Sequence, residues 1–285
     1  ADAWAMHQAG AKIIFADCAK NTFSIDPEDV RKKITKKTKI ISPTHLYGRP
    51  SRMDELREIC DKNNIYLIED CCQAMGSKYK DKMVGSMGDF NFYSFHNKLI
   101  ASGEGGMITT NDKDLADRFE KLKNPPAVNR PEERDGFTEI SMNHRLSNLH
   151  AAVGLAQLER LEQNIKKKLK MAEIYDEIFN KADGISLIKE DDKNRTVWWR
   201  YTILLDPKIN VAKFKQKALE SKIVVREGYL PLHKHPFFKE HNKLHLPNAE
   251  RLGNVAIDIP SSFKLKEDEI ALIAQTLKKI AKNLL

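Results

Sequence analysis

The chain has 285 residues, 41% of them hydrophobic and 31% charged, with a formal net charge of +8. This balance excludes a disordered chain, and no stretch approaches the roughly 20 apolar residues of a membrane span. The lysines are spread through segments such as "RKKITKKTK" and "NIKKKLKMAE" with few aromatics between them, as on solvated helix faces, so neither nucleic acid nor a membrane is expected as a partner.

The opening "ADAWAMHQAGAKIIFAD" has no charged n-region and no apolar h-region, so a secretory leader is not expected. Cys18, Cys60, Cys71 and Cys72 form no C-x-x-C pair and read as the reduced thiols of a cytoplasmic protein. In chain order, "KIIFAD" (12–17) reads as a strand, "EDVRKKIT" (28–35) as a polar helix and "TKIISP" (38–43) as a strand. "SRMDELREICDKNN" (51–64) reads as a helix opened by Ser51 and Asp54 at capping-box spacing, with Met53, Leu56 and Cys60 on one face. "IYLIED" (65–70) is a buried strand. This alternation predicts βαβ units and an α/β domain around a mostly parallel sheet with helices on both faces.

"FNFYSF" (90–95) and "GMITT" (106–110) are strands flanking a glycine-rich turn. Residues 113–123 read as a helix, 124–138 as a polar, proline-containing loop, and 147–164 as a helix whose Ala151, Ala152, Leu155 and Leu158 form a narrow packing face. Then the character changes. A charged helix (166–181), the aromatic strand "TVWWRYTILL" (196–205), a helix (211–221), "KIVVREGYL" and an amphipathic helix (266–283) predict a smaller α+β domain. The expected division is a large domain over 1–165 and a small one over 166–285.

The chemistry centres on two residues. Asp70 ends a predicted parallel strand, and in open α/β sheets ligands gather beyond the carboxyl ends of strands. Taken alone, Glu69 and Asp70 would simply begin a solvated loop, and Lys98 would be one more surface lysine. Gly103, Gly105 and Gly106 follow Lys98, however, and let the backbone adopt positive φ or approach a ligand closely. Ser94 and Ser102 add hydroxyls suited to an anion. A lysine, a carboxylate and a phosphate-sized nest fit pyridoxal 5'-phosphate, with the amine forming a Schiff base and the aspartate keeping the pyridine nitrogen protonated.

The run "IEDCCQAMGSKYKDKMVGSMGDFNFYSFHNKLIASGEGGMITTND" resembles the core of the DegT/DnrJ/EryC1/StrS family of pyridoxal-phosphate-dependent nucleotide-sugar aminotransferases. The likeness continues through "KIISPTHLYGRPSRMDEL", "MNHRLSNLHAAVGLAQLERL", "RTVWWRYTILL", "GYLPLHKHPFF" and "LPNAERLGNVAIDIPSS". It implies the aspartate-aminotransferase-like fold type I and assigns roles by position. Lys98 would carry the cofactor and then shuttle protons, its pKa lowered beside the cationic ring. Asp70 would pair with the pyridine nitrogen, Gln73 would lie against the ring, and Ser94 would hold the phosphate. Asn143 would reach the phosphate of a neighbouring subunit, which implies a homodimer. His45, Tyr47 and His233 would line the substrate site. The implied reaction moves an amino group from glutamate to a keto carbon of a nucleoside-diphosphate sugar, a 4-keto-6-deoxy sugar of the perosamine kind, with no metal.

Three departures accompany the resemblance. The Ser94–Lys98 spacing is one residue short, Met75 stands where histidine is common, and the chain begins where the family is already under way. The last predicts weak cofactor binding by the chain as given. The rival readings are a non-catalytic homologue, a pyridoxal-phosphate sugar dehydratase, and a nucleotide-binding oxidoreductase. The dehydratases carry histidine at the lysine position, which Lys98 opposes. No G-x-G-x-x-G follows a first strand, which opposes the oxidoreductase.

Overall fold

The computed structural model describes residues 2–124, 141–188, 193–241 and 243–285. The loop expected over 124–138 therefore lies, beyond Asn124, outside the described residues. In the first half, α1 (Asp2–Gln8) and α2 (Pro27–Lys33) precede β1 (Ile40–Ile41), α3 (Met53–Asn63), β2 (Tyr66–Asp70) and the small hairpin β3 (Lys78–Tyr79) and β4 (Lys82–Met83). β5 (Phe90–Ser94), β6 (Gly106–Thr109) and α4 (Lys113–Lys123) follow. Strands β1, β2 and β5 run parallel in that order, with Ile40 opposite Tyr66 and Asp70 opposite Phe92. β6 adds an antiparallel edge, Ser94 facing Gly106.

The reasons are local where local signals exist. From Leu67 to Asp70, β2 is buried on both faces, as a central parallel strand must be. Met53, Leu56, Ile59 and Cys60 recur at helical spacing on α3 and bury that face against Ile41 and Leu67. Asp112 caps α4 by accepting from the Asp114 and Leu115 amides.

The second half holds α5 (Asn148–Leu158), α6 (Leu161–Phe179), β7 (Ile185–Ser186), β8 (Tyr201–Leu205), α7 (Val211–Glu220), β9 (Arg226–Glu227), α8 (Pro247–Val255), β10 (Ala256–Ile259) and α9 (Glu267–Leu284). Its sheet is antiparallel in the order β7-β8-β10-β9. Tyr175 and Phe179 of α6, Ile203 of β8, Phe214 of α7, Ile257 of β10 and Leu277 of α9 form one core. Each such buried side chain contributes about 1.5–3 kcal/mol of transfer free energy. Among the described residues, no helix is long and apolar enough to cross a membrane.

Three local expectations are corrected. Residues 12–17 form no strand; only Cys18 bridges, to Ile25. Their side chains serve distant partners instead. Phe15 is buried with Ala3, Phe238 and Leu246, and the Asp17 carboxylate accepts from the Asn248 and Ala249 amides at the start of α8. Ser51 is not a helix cap. Arg52 occupies that position, and the Ser51 amide donates to His45 Nδ1 at 3.0 Å. Finally, the helix expected over 147–164 breaks at Glu159–Arg160, where Leu161 and Ile165 turn to pack on Leu99 and Val197.

Candidate active site

Asp70 ends β2, Ser94 ends β5, and Lys98 lies on the loop from β5 to β6, so all three gather at the carboxyl edge of the parallel strands. Gly105 (φ +119°) helps return that loop, and Gly106 presses against the Tyr93 carbonyl, which an added Cβ would meet at 2.5 Å. Both glycines thus serve the turn and the hairpin.

The Asp70 carboxylate is only 6% exposed. Its Oδ1 accepts from the Cys72 amide at 2.9 Å, and no cationic side chain among the described residues pairs with it. Burial, helped by nearby Asp2 and opposed by the Cys72 amide, lifts its pKa above the ordinary carboxylate value. Lys98 is the complement, a half-buried amine that no carboxylate holds in an ion pair among the described residues. Its Nζ sits 3.5 Å from the centroid of the Trp199 ring. Burial lowers its pKa; Cys72 and Asp70 act against this, and Arg200 acts with it. The two unpaired groups are thus close enough for their charges to interact.

The remaining residues fall into two groups. Gln73 lines the cleft beside Lys98, its Oε1 accepting from the Tyr47 amide at 2.8 Å and its Nε2 donating to the Tyr229 hydroxyl at 3.4 Å. Ser94 Oγ accepts from the His96 amide, and its own hydrogen has no acceptor among the described residues. Asn143 is exposed just before α5, its Oδ1 accepting from Arg145 Nε. Ser102, expected to hold an anion, is instead buried and donates to the Glu104 carbonyl.

The structure encloses the expected substrate-site residues. His45 and Tyr47 are 0% exposed and His233 is 1% exposed, and none is among the residues lining the cleft beside Lys98. His45 is held between the Ser51 amide and Glu69, which puts its proton on Nε2, and His233 Nε2 meets Glu250 at 3.0 Å. Tyr47 sits in a tight turn at φ +61° beside Gly48, where an added Cβ would lie 2.2 Å from the Val197 carbonyl. Its backbone meets Gln73 and Trp199 and its hydroxyl meets Tyr229, so it positions the cleft from behind.

Beneath β2 lies a second hub. Glu69, fully buried, accepts at Oε1 from the Met87 and Gly88 amides (2.7 and 2.6 Å) and at Oε2 from the Gly85 amide and His45 (2.9 and 3.1 Å). Burial would raise its pKa, but these donors hold it below the ordinary value. The donor atoms of His45, Glu69 and Cys71 lie within 4.8 Å of one another, yet the lone pairs of the first two are already engaged. The hub is structural: it pins residues 85–88 under the strand that presents Asp70.

A cleft of about 650 Å³ opens beside Lys98, lined also by Cys72, Gln73, Met75, Trp199 and Arg200. Sequence reasoning gave Trp199 and Arg200 no role. The Arg200 guanidinium lies 4.1 Å from the Trp199 centroid, and its Nη1 donates to buried Asp258 at 3.2 Å. An arginine directly after two tryptophans was the available signal.

The mostly parallel sheet with its helices, rather than any one side chain, sets the class of fold, which known sugar aminotransferases share. The Helicobacter pylori aminotransferase PseC, involved in pseudoaminic acid biosynthesis, has the same fold (TM-score 0.92, 24% identity, 98% of this chain and 76% of that one). So does the Streptococcus pneumoniae sugar aminotransferase Spr1654, solved in its PLP form (TM-score 0.91, 22% identity, 99% of this chain and 78% of that one). Residues 1–278 match the DegT/DnrJ/EryC1/StrS aminotransferase family, and the chain belongs to it. GDP-perosamine synthase of Escherichia coli O157:H7 is 36% identical over 277 residues, 96% of this chain and 74% of that protein. The chain is a sugar aminotransferase.

Proposed function

We propose that this aminotransferase moves an amino group from glutamate to the keto carbon of a nucleoside-diphosphate 4-keto-6-deoxy sugar, with pyridoxal 5'-phosphate as cofactor. The observation that carries this reading is the pairing of opposites at one sheet edge: among the described residues the Lys98 amine beside the cleft has no anion in an ion pair, the buried Asp70 carboxylate has no cation, and the charge of Asp70 acts on Lys98. Both fit the cofactor. A buried carboxylate with a raised pKa is stabilised by a cationic partner, as a protonated pyridine nitrogen would be. The likeness to GDP-perosamine synthase supports the choice of sugar.

Pyridoxal phosphate, when bound, supplies an aldehyde that carries the amino group and a ring that accepts electrons. The chain's residues supply the rest. Lys98 would hold the cofactor through its neutral amine, which burial favours, and its Nζ would carry the proton taken from the donor's α-carbon. Asp70 would hold a proton on the pyridine nitrogen. Ser94 Oγ–H would donate to the phosphate, and Gln73 would lie against the ring. Arg200, aimed by Asp258, offers a cation to an anionic part of donor or sugar nucleotide.

Asp70→Asn tests the pairing. The folded-state pKa of Asp70 is raised, so its charge opposes folding above the unfolded-state value, and acid relieves that cost. D70N without cofactor should therefore melt at or above the wild-type temperature at pH 7. Its aminotransfer should fall by about 10²–10³, the range for a lost electrostatic stabiliser. Thermal melts and steady-state assays read both, and an active D70N would oppose the reading.

We further propose a homodimer with Asn143 near the partner's cofactor phosphate. Its support is α5, none of whose residues is buried; Leu149 is 74% exposed and Leu155 58%. Such an apolar face calls for cover. Leu155→Asp should shift the protein from dimer to monomer in light scattering; a wild-type monomer that is active would refute the arrangement.

A further inference from the structure

Lys166, Lys167 and Lys168 are consecutive on α6, but only Lys168 is buried, at 4% exposure. A lysine so placed normally pairs with a carboxylate, because an ammonium taken from water costs several kcal/mol otherwise. Among the described residues Lys168 pairs with none. Its Nζ donates instead to two main-chain carbonyls, that of Trp199 at 3.0 Å and that of Ser261. These carbonyls belong to neighbouring segments of the small sheet, one entering β8 and the other leaving β10. The same segments are tied again by the Tyr201 amide, which donates to Ser261 Oγ at 2.7 Å.

This wall faces the reactive amine. Trp199 presents its ring to Lys98 and donates from Nε1 to the Asn97 carbonyl at 2.9 Å, one residue before Lys98. Arg200 lies over the same ring. We propose that Lys168 is a positioning residue: it staples α6 to the two segments that carry Trp199 and Arg200, and so holds the Trp199 ring against the Lys98 amine. This rests on the reading of Lys98 as the reactive lysine. Geometry carries it, and burial supports it, since burial alone pushes the Lys168 pKa down to about 8.

The groups that act electrostatically on Lys98 are Asp70 on β2, Cys72 just after it and Arg200 before β8; burial outweighs each. Loosening the wall should therefore admit water to the amine and move its titration towards that of an ordinary lysine.

The test is labelling of the cofactor-free protein with trinitrobenzenesulfonate, which attacks only neutral amines, across pH 6.5–10 with each lysine followed by peptide mass spectrometry. In the wild type, Lys98 should label at lower pH than exposed lysines. Lys168→Met should move the Lys98 profile up to theirs, and Lys168→Arg, which can still donate to both carbonyls, should restore most of the difference. Should K168M fail to fold by circular dichroism, Lys168→Gln is judged by the same comparison. A folded K168M or K168Q with the wild-type Lys98 profile would overturn the inference and leave the functional reading intact. A wild-type Lys98 that labels like exposed lysines would overturn the functional reading, and this inference with it.

Discussion

Replacing Lys98 with arginine is expected to lower aminotransfer by ~10⁴-fold or more, the upper end of what a positioned acid–base group contributes. Arginine keeps the charge and much of the length, and it can still lie over the Trp199 ring. It cannot become a neutral amine near pH 7, so both nucleophilic attack and proton transfer are lost. The protein should fold as the wild type does, because Lys98 holds no ion pair among the described residues. Steady-state assay with glutamate and a keto sugar nucleotide, beside a thermal melt, separates loss of chemistry from loss of fold. Retention of even a tenth of the wild-type rate would remove Lys98 from the mechanism.

The largest effect on stability is expected from Glu69→Gln. A glutamine amide fills the same space, but its nitrogen must face donors: the Met87 and Gly88 amides on one side, or Gly85 and His45 on the other. Breaking a buried charged network in this way costs about 3–5 kcal/mol, and urea unfolding at pH 7 should show it. The pH dependence has a definite sign. Because the folded-state pKa is depressed, the Glu69 contribution is fully present above the unfolded-state value of about 4.3 and fades as pH falls through the lower folded-state value. The wild-type advantage over E69Q should therefore shrink on acidification through that window. A constant difference at all pH values would show that the carboxylate's charge is not what matters.

The parts legible in the sequence are those with short-range causes. β2 announces itself as an apolar run ending in two acids, α3 carries Met53, Leu56 and Cys60 at helical spacing, and the glycine turn after Lys98 marks a tight return. Asp70 and Lys98 stand out in the sequence because strand ends and glycine turns have local signatures. What the sequence hid depends on distant partners. Asp17 caps a helix 231 positions away, so "KIIFAD" looks like a strand without pairing as one. His45, Tyr47 and His233 sit in motif positions that suggest substrate contact, yet the fold encloses each and engages it with Glu69, Gln73 or Glu250. The break between α5 and α6 has no proline or glycine to mark it. Lys168 had a readable signal that went unused: it shares helical spacing with Ile165, Ala172 and Tyr175, the buried face of α6.

The most direct measurement is borohydride trapping in excess pyridoxal phosphate followed by peptide mapping, in wild type and D70N. Excess cofactor captures weak binding as well as tight. The pyridoxyl group should be found predominantly on Lys98, and D70N should reduce that labelling without redirecting it. Labelling spread evenly over the lysines, or concentrated on another one, would contradict the assignment of Lys98 and Asp70 to a single cofactor site.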